Sequence, residues 1–382
     1  MKKNYLLMVL CTSMFLVKIS VTEAQTTLKQ RLEKHVYTLA DDSLKGRHSG
    51  STYGHKAAEY IVNQWKEIGI PPYQSDTYFQ PFNNNCKNII GILHGNDSTL
   101  KNEYIIIGAH YDHLGFKLNN GDTIIYNGAD DNASGVATLI ELSRKLNEIR
   151  HSLQRSVILV AFDAEETGLN GSSHLADNPV VPLTNIKLMF SVDMVGWYKA
   201  SGYVQYSGAG TIADSKNILL NSGLVPEGLH VVTQDFEKSL FTATDTQPFA
   251  QKGIPTLAVT TGLKSPYHKP EDDADLIDYD GMTLIVEHLA NVVETVSKDR
   301  NYSASGKLAS KHIKRNPKKI LVGLSANLGS NYHYYTAGAV NGKAADSYGI
   351  GLMSQINMGQ WAIRPEVYYE YVQAKYPAGT IR

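Results

Sequence analysis

Cysteine is nearly missing from this chain. Only Cys11 and Cys86 occur in 382 residues. Cys11 falls inside an N-terminal stretch ordered like an export signal, so the mature chain is expected to keep one thiol and no internal disulfide. An exported protein without disulfides must be held by its core or by metal. An excess of charge is missing too: 36 Lys and Arg oppose 37 Asp and Glu, a formal charge of -1. No bulk basic field is present to hold nucleic acid, which excludes that partner. The local exception is 311–319, KHIKRNPKK, with five Lys or Arg. The apolar run Tyr5–Val17 is 13 residues, short of the ~20 a helix needs to span a bilayer. No repeat of about 20–50 residues is present, which excludes a solenoid. Hydrophobic content of 42% with 19% charged residues fits a globular protein and excludes disorder or a coiled coil.

Lys2 and Lys3 precede that apolar run, and Thr22-Glu23-Ala24 supplies a small-x-small cleavage site before Gln25. This is the secretory order, and it predicts an exported protein: periplasmic, outer-membrane-associated or extracellular. Acylation at Cys11 is the alternative, disfavoured by the bulky Leu10 and the early position. Beyond the signal, Leu28, Leu32, Val36 and Leu39 predict a helix within 26–44, and Ala58, Ile61, Val62 and Trp65 predict another over His55–Ile68. Short β-branched runs follow at Tyr104–Ile107, Ser156–Phe162, Ile186–Val192 and Pro255–Val259. Between and after them fall helical stretches, Ser134–Ile149 and Asp280–Val296. Strands apolar on both faces and separated by helices predict an α/β fold, a mixed, mainly parallel central sheet with helices on both faces. The expected division is a signal over 1–24, an α/β domain over 25–298, a basic linker over 299–319 and a β segment over 320–382.

That last segment alternates strictly. Ile320, Val322, Leu324, Ala326 and Leu328 interleave with small or polar residues, and so do the runs from Tyr348 and Trp361. Three antiparallel strands of about ten residues with aromatic ends resemble the start of an outer-membrane barrel. Three strands cannot close, and lipid does not tolerate an open edge. The readings left open are a barrel remnant, which would associate the enzyme with the outer membrane, and a soluble meander.

Ligands in open α/β sheets bind beyond the carboxyl ends of the strands. Here one strand runs into Gly108-Ala109-His110-Tyr111-Asp112, the next into Asp163-Ala164-Glu165-Glu166, and a third into Asp193. Gly128-Ala129-Asp130-Asp131-Asn132-Ala133-Ser134-Gly135 opens the long helix, and Tyr267-His268-Lys269-Pro270-Glu271-Asp272 follows a short strand. Each piece alone reads as a polar turn. Jointly they would bury uncompensated carboxylates at one sheet edge, a cost that a cation removes. Histidine and carboxylate donors suit zinc or a similar divalent ion.

GAHYDHLG, NGADDNASGVATLIELSR, LVAFDAEETGLNGSSHLA, FSVDMVG and SPYHKPEDDADLID together resemble the co-catalytic zinc aminopeptidases of metallopeptidase family twenty-eight, over residues 28–297. The resemblance implies two zinc ions per chain, one on His110 and Asp193, the other on Glu166 and His268, with Asp131 shared and a cis peptide after it. Two ions ~3.5–4 Å apart can share one hydroxide and polarise a scissile carbonyl. Glu165 then resembles the general base that moves the water proton to the leaving amine. Asp112 is placed to accept the free N–H of His110. Tyr267 matches a position where some members offer a phenol to the oxyanion. The implied function is hydrolysis of the N-terminal residue of peptides with a free N-terminus. The alternatives are a glutaminyl cyclase-type transferase, a carboxypeptidase-type relative and a non-catalytic binding domain on the same fold. One departure concerns the substrate pocket: many members carry Ser-Asp-His where this chain has Thr244-Asp245-Thr246.

Overall fold

The structure, a computed structural model, describes residues 26–308 apart from 84, 120, 222 and 236–243, together with four strands between 320 and 373. The expected signal and residues 309–319 of the expected linker lie outside the described residues.

Helix α1 (Leu28–Leu39) begins in a capping box, with Thr27 Oγ1 accepting from Gln30 N while the Gln30 side chain accepts from Thr27 N. It ends at Leu39, the last of those apolar positions and short of the expected bound at residue 44. Asp41 accepts from Ser43 N and starts a separate tight turn, Asp42–Arg47, in which Lys45 and Gly46 are left-handed. Helix α2 (Thr52–Ile68) is capped by Ser51 and stopped by left-handed Gly69. Then come β1 (Phe79–Phe82), β2 (Cys86–Leu93), β3 (Tyr104–His110) and the hairpin β4 (Gly115–Asn119) with β5 (Asp122–Tyr126). Next are α3 (Gly135–Glu148), β6 (Ser156–Phe162), α4 (Asn170–Asp177), β7 (Ile186–Val192), β8 (Val204–Ser207) and β9 (Val231–Gln234). Helix α5 (Thr246–Gln251), β10 (Thr256–Thr260) and α6 (Tyr279–Lys298) complete the first compact unit.

The main sheet has eight strands in the order β1-β2-β6-β3-β7-β10-β8-β9. Its centre, β6-β3-β7-β10, is parallel, and β2 and β8 join that centre antiparallel. The sheet is therefore mixed and mainly parallel. Successive residues serve opposite faces. Ile105, Ile107, Val157, Leu159, Leu188 and Phe190 pack with α1, α2, α3 and α6, while Ile106, Ile158, Val160 and Met189 pack with Leu175 of α4 and Phe249 of α5. Burial on both faces is why these strands read as continuous apolar runs. Since the four central strands run the same way, His110, Asp163 and Asp193 leave the sheet at one edge.

Residues 299–308, expected as linker, lie on the first unit: Ser305 N donates to Thr211 O at 2.9 Å and Ala213 N to Ser303 O at 3.1 Å. The chain divides into two compact units near residue 312. In the second, β11 (Ile320–Asn331) pairs antiparallel with β12 (Ala345–Met358), which also pairs with β13 (Trp361–Ile363) and β14 (Glu366–Gln373). The third expected strand is thus described as two segments, β13 and β14. Among the described residues no helix is long and apolar enough to cross a membrane.

Candidate metal centre

The segment before α3 is folded against the edge where β7 ends. A Cβ on Gly135 would lie 2.4 Å from Val192 O, so only glycine lets α3 start this close. Asn132 locks the approach. Its Nδ2 donates to Val192 O at 3.0 Å, and its Oδ1 accepts from Gly135 N and Met194 N. From the other side the Asp272 carboxylate accepts from Asp130 N and Asp131 N at 2.9–3.1 Å. The Asp131–Asn132 peptide is cis, as the family resemblance implies.

Held this way, Asp131 offers one carboxylate oxygen to each of two groups. Its Oδ1 lies 3.3 Å from His110 Nε2, which is 3.4 Å from Asp193 Oδ1. Its Oδ2 lies 3.2 Å from His268 Nε2, which is 3.0 Å from Glu166 Oε2. Two donors on one tetrahedral ion with ~2.0–2.1 Å bonds stand about 3.3 Å apart, so all four separations suit ligand pairs. Asp193 Oδ1 is buried without a hydrogen bond, as an atom kept for a cation would be. The five residues expected as ligands therefore stand together, and the donor set fits a hard or borderline divalent ion.

Of the three remaining expected residues, Asp112 lies fully buried behind His110. His110 Nδ1 faces the Asp112 backbone oxygen at 3.2 Å and its carboxylate at 3.7 Å. The Asp112 carboxylate itself accepts from Glu165 N and Glu166 N at 3.0 and 3.3 Å. It thus anchors the acidic pair as well as backing the imidazole. Glu165 stands at the same edge, close enough to feel His110, Asp245, Asp193 and Asp112. Tyr267 stacks on His268 with ring centroids 3.8 Å apart and is 41% exposed, which puts it at the mouth.

Burial sets the electrostatics. It pushes the Glu165 carboxyl up to about 10, against the pull of His110 and with the repulsion of Asp245, Asp193 and Asp112. Burial likewise raises Asp193, and it carries Asp245 up to about 7. For Asp131 burial pushes upward too but is outweighed: hydrogen bonds from His110 and His268 and the charge of His113 hold it well below the usual carboxylate range. Burial opposes charging of His110, yet Glu165, Asp193, Asp112 and Asp131 keep it well above the usual histidine value. His268 is raised chiefly by its hydrogen bond to Asp131. The protein's own cations leave the carboxylates under-compensated.

Two residues the motifs do not single out belong here. Arg47, 1% exposed, donates from Nε to Tyr111 O at 3.0 Å, from Nη1 to Leu39 O and Asn127 O at 2.6 and 2.5 Å, and from Nη2 to Gly128 O at 3.0 Å. It pins the exit of β3 to the turn before Asp131, and burial lowers its own pKa to about 10. His113, fully buried, places Nδ1 2.7 Å from Glu166 Oε1. The sequence signal for His113 was the second histidine of HYDH. For Arg47 there was none.

Comparison with known proteins gives this geometry a family. Residues 88–293 match the model of Peptidase family M28. Aminopeptidase YwaD of Bacillus subtilis is 29% identical over 230 residues, 57% of this chain and 46% of that protein, so the match spans less than half of the relative's length. Among solved structures, a zinc aminopeptidase from Bacillus subtilis superposes with TM-score 0.55 at 16% identity, covering 70% of this chain and 94% of that one. A Bacteroides thetaiotaomicron glutaminyl cyclase bound to N-acetylhistamine gives 0.54 at 18%, covering 70% and 97%. At such identities these two likenesses show the fold. The family match spans more than half of the chain and contains all five residues expected as ligands, His110, Asp131, Glu166, Asp193 and His268, together with the β3, β6 and β7 ends, and on that ground the chain belongs to Peptidase family M28.

Proposed function

We propose that this protein is an exported zinc aminopeptidase that removes the N-terminal residue of peptides. The observation that carries the reading is the division of Asp131, one oxygen toward His110 and Asp193, the other toward His268 and Glu166. That arrangement suits two ions sharing one carboxylate. His110, Asp131 and Asp193 would hold one zinc, and Asp131, Glu166 and His268 the other. Zinc bound there supplies Lewis acidity and an acidified water. The chain supplies the rest. Glu165, beside Glu166 and kept ionised by the nearby cations once they are bound, would take a proton from water and return it to the leaving amine. Asp112 keeps Glu165 and its neighbour in place through their backbone N–H groups. Tyr267, at the mouth, has a phenol that burial holds in its protonated, donating form.

The test is one preparation and one variant. The purified protein should carry about two zinc ions and hydrolyse aminoacyl arylamides, and Glu165→Gln should keep its zinc while losing ~10²–10⁴-fold in kcat. One zinc, no hydrolysis and cyclisation of N-terminal glutaminyl peptides would instead make it a cyclase. Metal uptake without either reaction would leave a binding domain.

For location we infer export followed by outer-membrane association. Support comes from the residue order of 1–24 and from β11 and β12, of 12 and 14 residues, where a barrel strand needs ~9–11. Val367 and Tyr369, alternate residues of β14, are 77% and 75% exposed. Recovery of the expressed protein in the membrane fraction, released by detergent but not by salt, is the expected result. Recovery in the soluble fraction would refute it.

A further inference from the structure

His113 lies outside the five-residue set expected as ligands, yet it faces all three residues of one half of it. Its Nδ1 stands 2.7 Å from Glu166 Oε1 and 3.9 Å from Asp131 Oδ2, and its ring meets His268 edge-on at 5.8 Å. The 2.7 Å separation is a direct hydrogen bond, shorter than the ~3.3 Å between two donors on one tetrahedral ion. A carboxylate only accepts, so Nδ1 carries the hydrogen. The other nitrogen, Nε2, is enclosed with no hydrogen-bond partner. The ring has little freedom to turn: a Cβ on Gly128 would sit 2.5 Å from its Cδ2, and its backbone N–H is directed at Arg47 O at 3.4 Å.

We propose that His113 is a positioning residue for Glu166. By holding Oε1 through Nδ1–H it leaves Oε2, the oxygen beside His268, as the atom of that carboxylate turned to the metal. Glu166 then binds through one oxygen, and the position its second oxygen would take stays open to water or substrate, as a catalytic zinc requires. Partners that orient ligating carboxylates typically govern metal affinity about 10–100-fold. The inference rests on the metallopeptidase reading above and goes beyond it by naming what sets the coordination of one of the two sites.

The test uses the metal-free full chain, titrated with zinc by calorimetry and with cobalt by visible absorption. Three variants are compared. In His113→Asn the side-chain nitrogen falls where Nδ1 was, in His113→Gln the donor lies one atom too far, and in His113→Leu there is none. The expected result is that Leu and Gln weaken one metal equivalent by about 10–100-fold, leave the other unchanged and alter the cobalt spectrum, while Asn stays within about threefold of wild type. Because all three variants disturb packing, a purely structural role would not separate Asn from Gln. If Leu binds both ions as wild type does, or if Asn is as weak as Leu, the proposal is overturned. If the wild-type chain itself takes up no zinc, the metallopeptidase reading fails first, and the titration of wild type alone shows it.

Discussion

Removing metal from this site should turn its surplus of carboxylates into a pH-dependent instability. Glu165 is pushed up to about 10 and Asp245 to about 7, both chiefly by burial. In the unfolded chain both ionise near pH 4. Between about pH 5 and 7 the folded, metal-free protein therefore holds two protons that the unfolded chain has released. An acid whose folded pKa is raised loses stability as pH climbs from its unfolded toward its folded value. Two such protons give a slope of about 2.7 kcal/mol per pH unit. The raised pKa values of His110 and His268 act in the same direction above their unfolded value, and the depressed Asp131 has its window below this range. Divalent cations draw Glu165 and Asp245 back to their ionised forms, while Asp130, raised to about 7, and Asp163, raised to about 6, act in both forms, so the zinc-loaded curve should be shallower than the chelated one. For a domain of this size the gap in Tm between loaded and chelated protein should widen by roughly 5–10 °C per pH unit. Differential scanning calorimetry of both forms in steps from about pH 5.5 to 7.0 reads it directly. A chelated protein whose Tm is constant or rises across that window would show that these carboxylates do not carry the protons assigned to them.

Arg47→Leu removes four hydrogen bonds to backbone carbonyls inside the fold. It should cost ~3–5 kcal/mol by denaturant unfolding even with zinc bound, as expected for breaking a buried charged contact, and a loss below ~1 kcal/mol would contradict the pinning role. Tyr267→Phe leaves the stack on His268 intact, so zinc content should not change. If the phenol meets the oxyanion, kcat should fall by about 10²-fold with KM constant; an unchanged kcat assigns the ring to packing alone.

The part of the fold that could be read in advance is the part buried on two faces. Ser156–Phe162 and Ile186–Val192 are apolar throughout because each serves two packed layers, and both strands lie where their runs predict. The hairpin Gly115–Tyr126 and the four-residue strands β1, β8 and β9 had no such signature, being exposed, short or at the sheet margin. The early end of α1 turned on a local competition, the Asp41 side chain taking Ser43 N in place of a further helical turn. In the site, the residues expected as ligands stood out because each follows a strand or opens a helix. Arg47 did not, because its four partners are carbonyl oxygens 8, 64, 80 and 81 residues away, and any residue type supplies a carbonyl. Nor does sequence announce that Ala164, Met194 and His268 adopt left-handed backbone, which turns the chain sharply where Glu165, Asp193 and His268 must face the same space.

The placing of the cations carries the strongest argument about what the edge is for. A buried guanidinium beside so many carboxylates would be expected to pair with one of them. Arg47 instead gives every bond to the backbone, and its charge reaches Asp131, Asp272, Asp112 and Glu166 only through space. Backbone N–H groups satisfy Asp112 and Asp272, the two acids behind the cluster. The acids in front, Asp131, Glu166 and Asp193, receive contacts from imidazoles at separations that suit shared coordination. Asp193 Oδ1 receives no hydrogen bond at all. A site built for stability alone would spend its arginine on those oxygens. This one holds its acids in register from behind and leaves their forward lone pairs unspent, which is the arrangement a chain needs if the compensating charge is to arrive from solution.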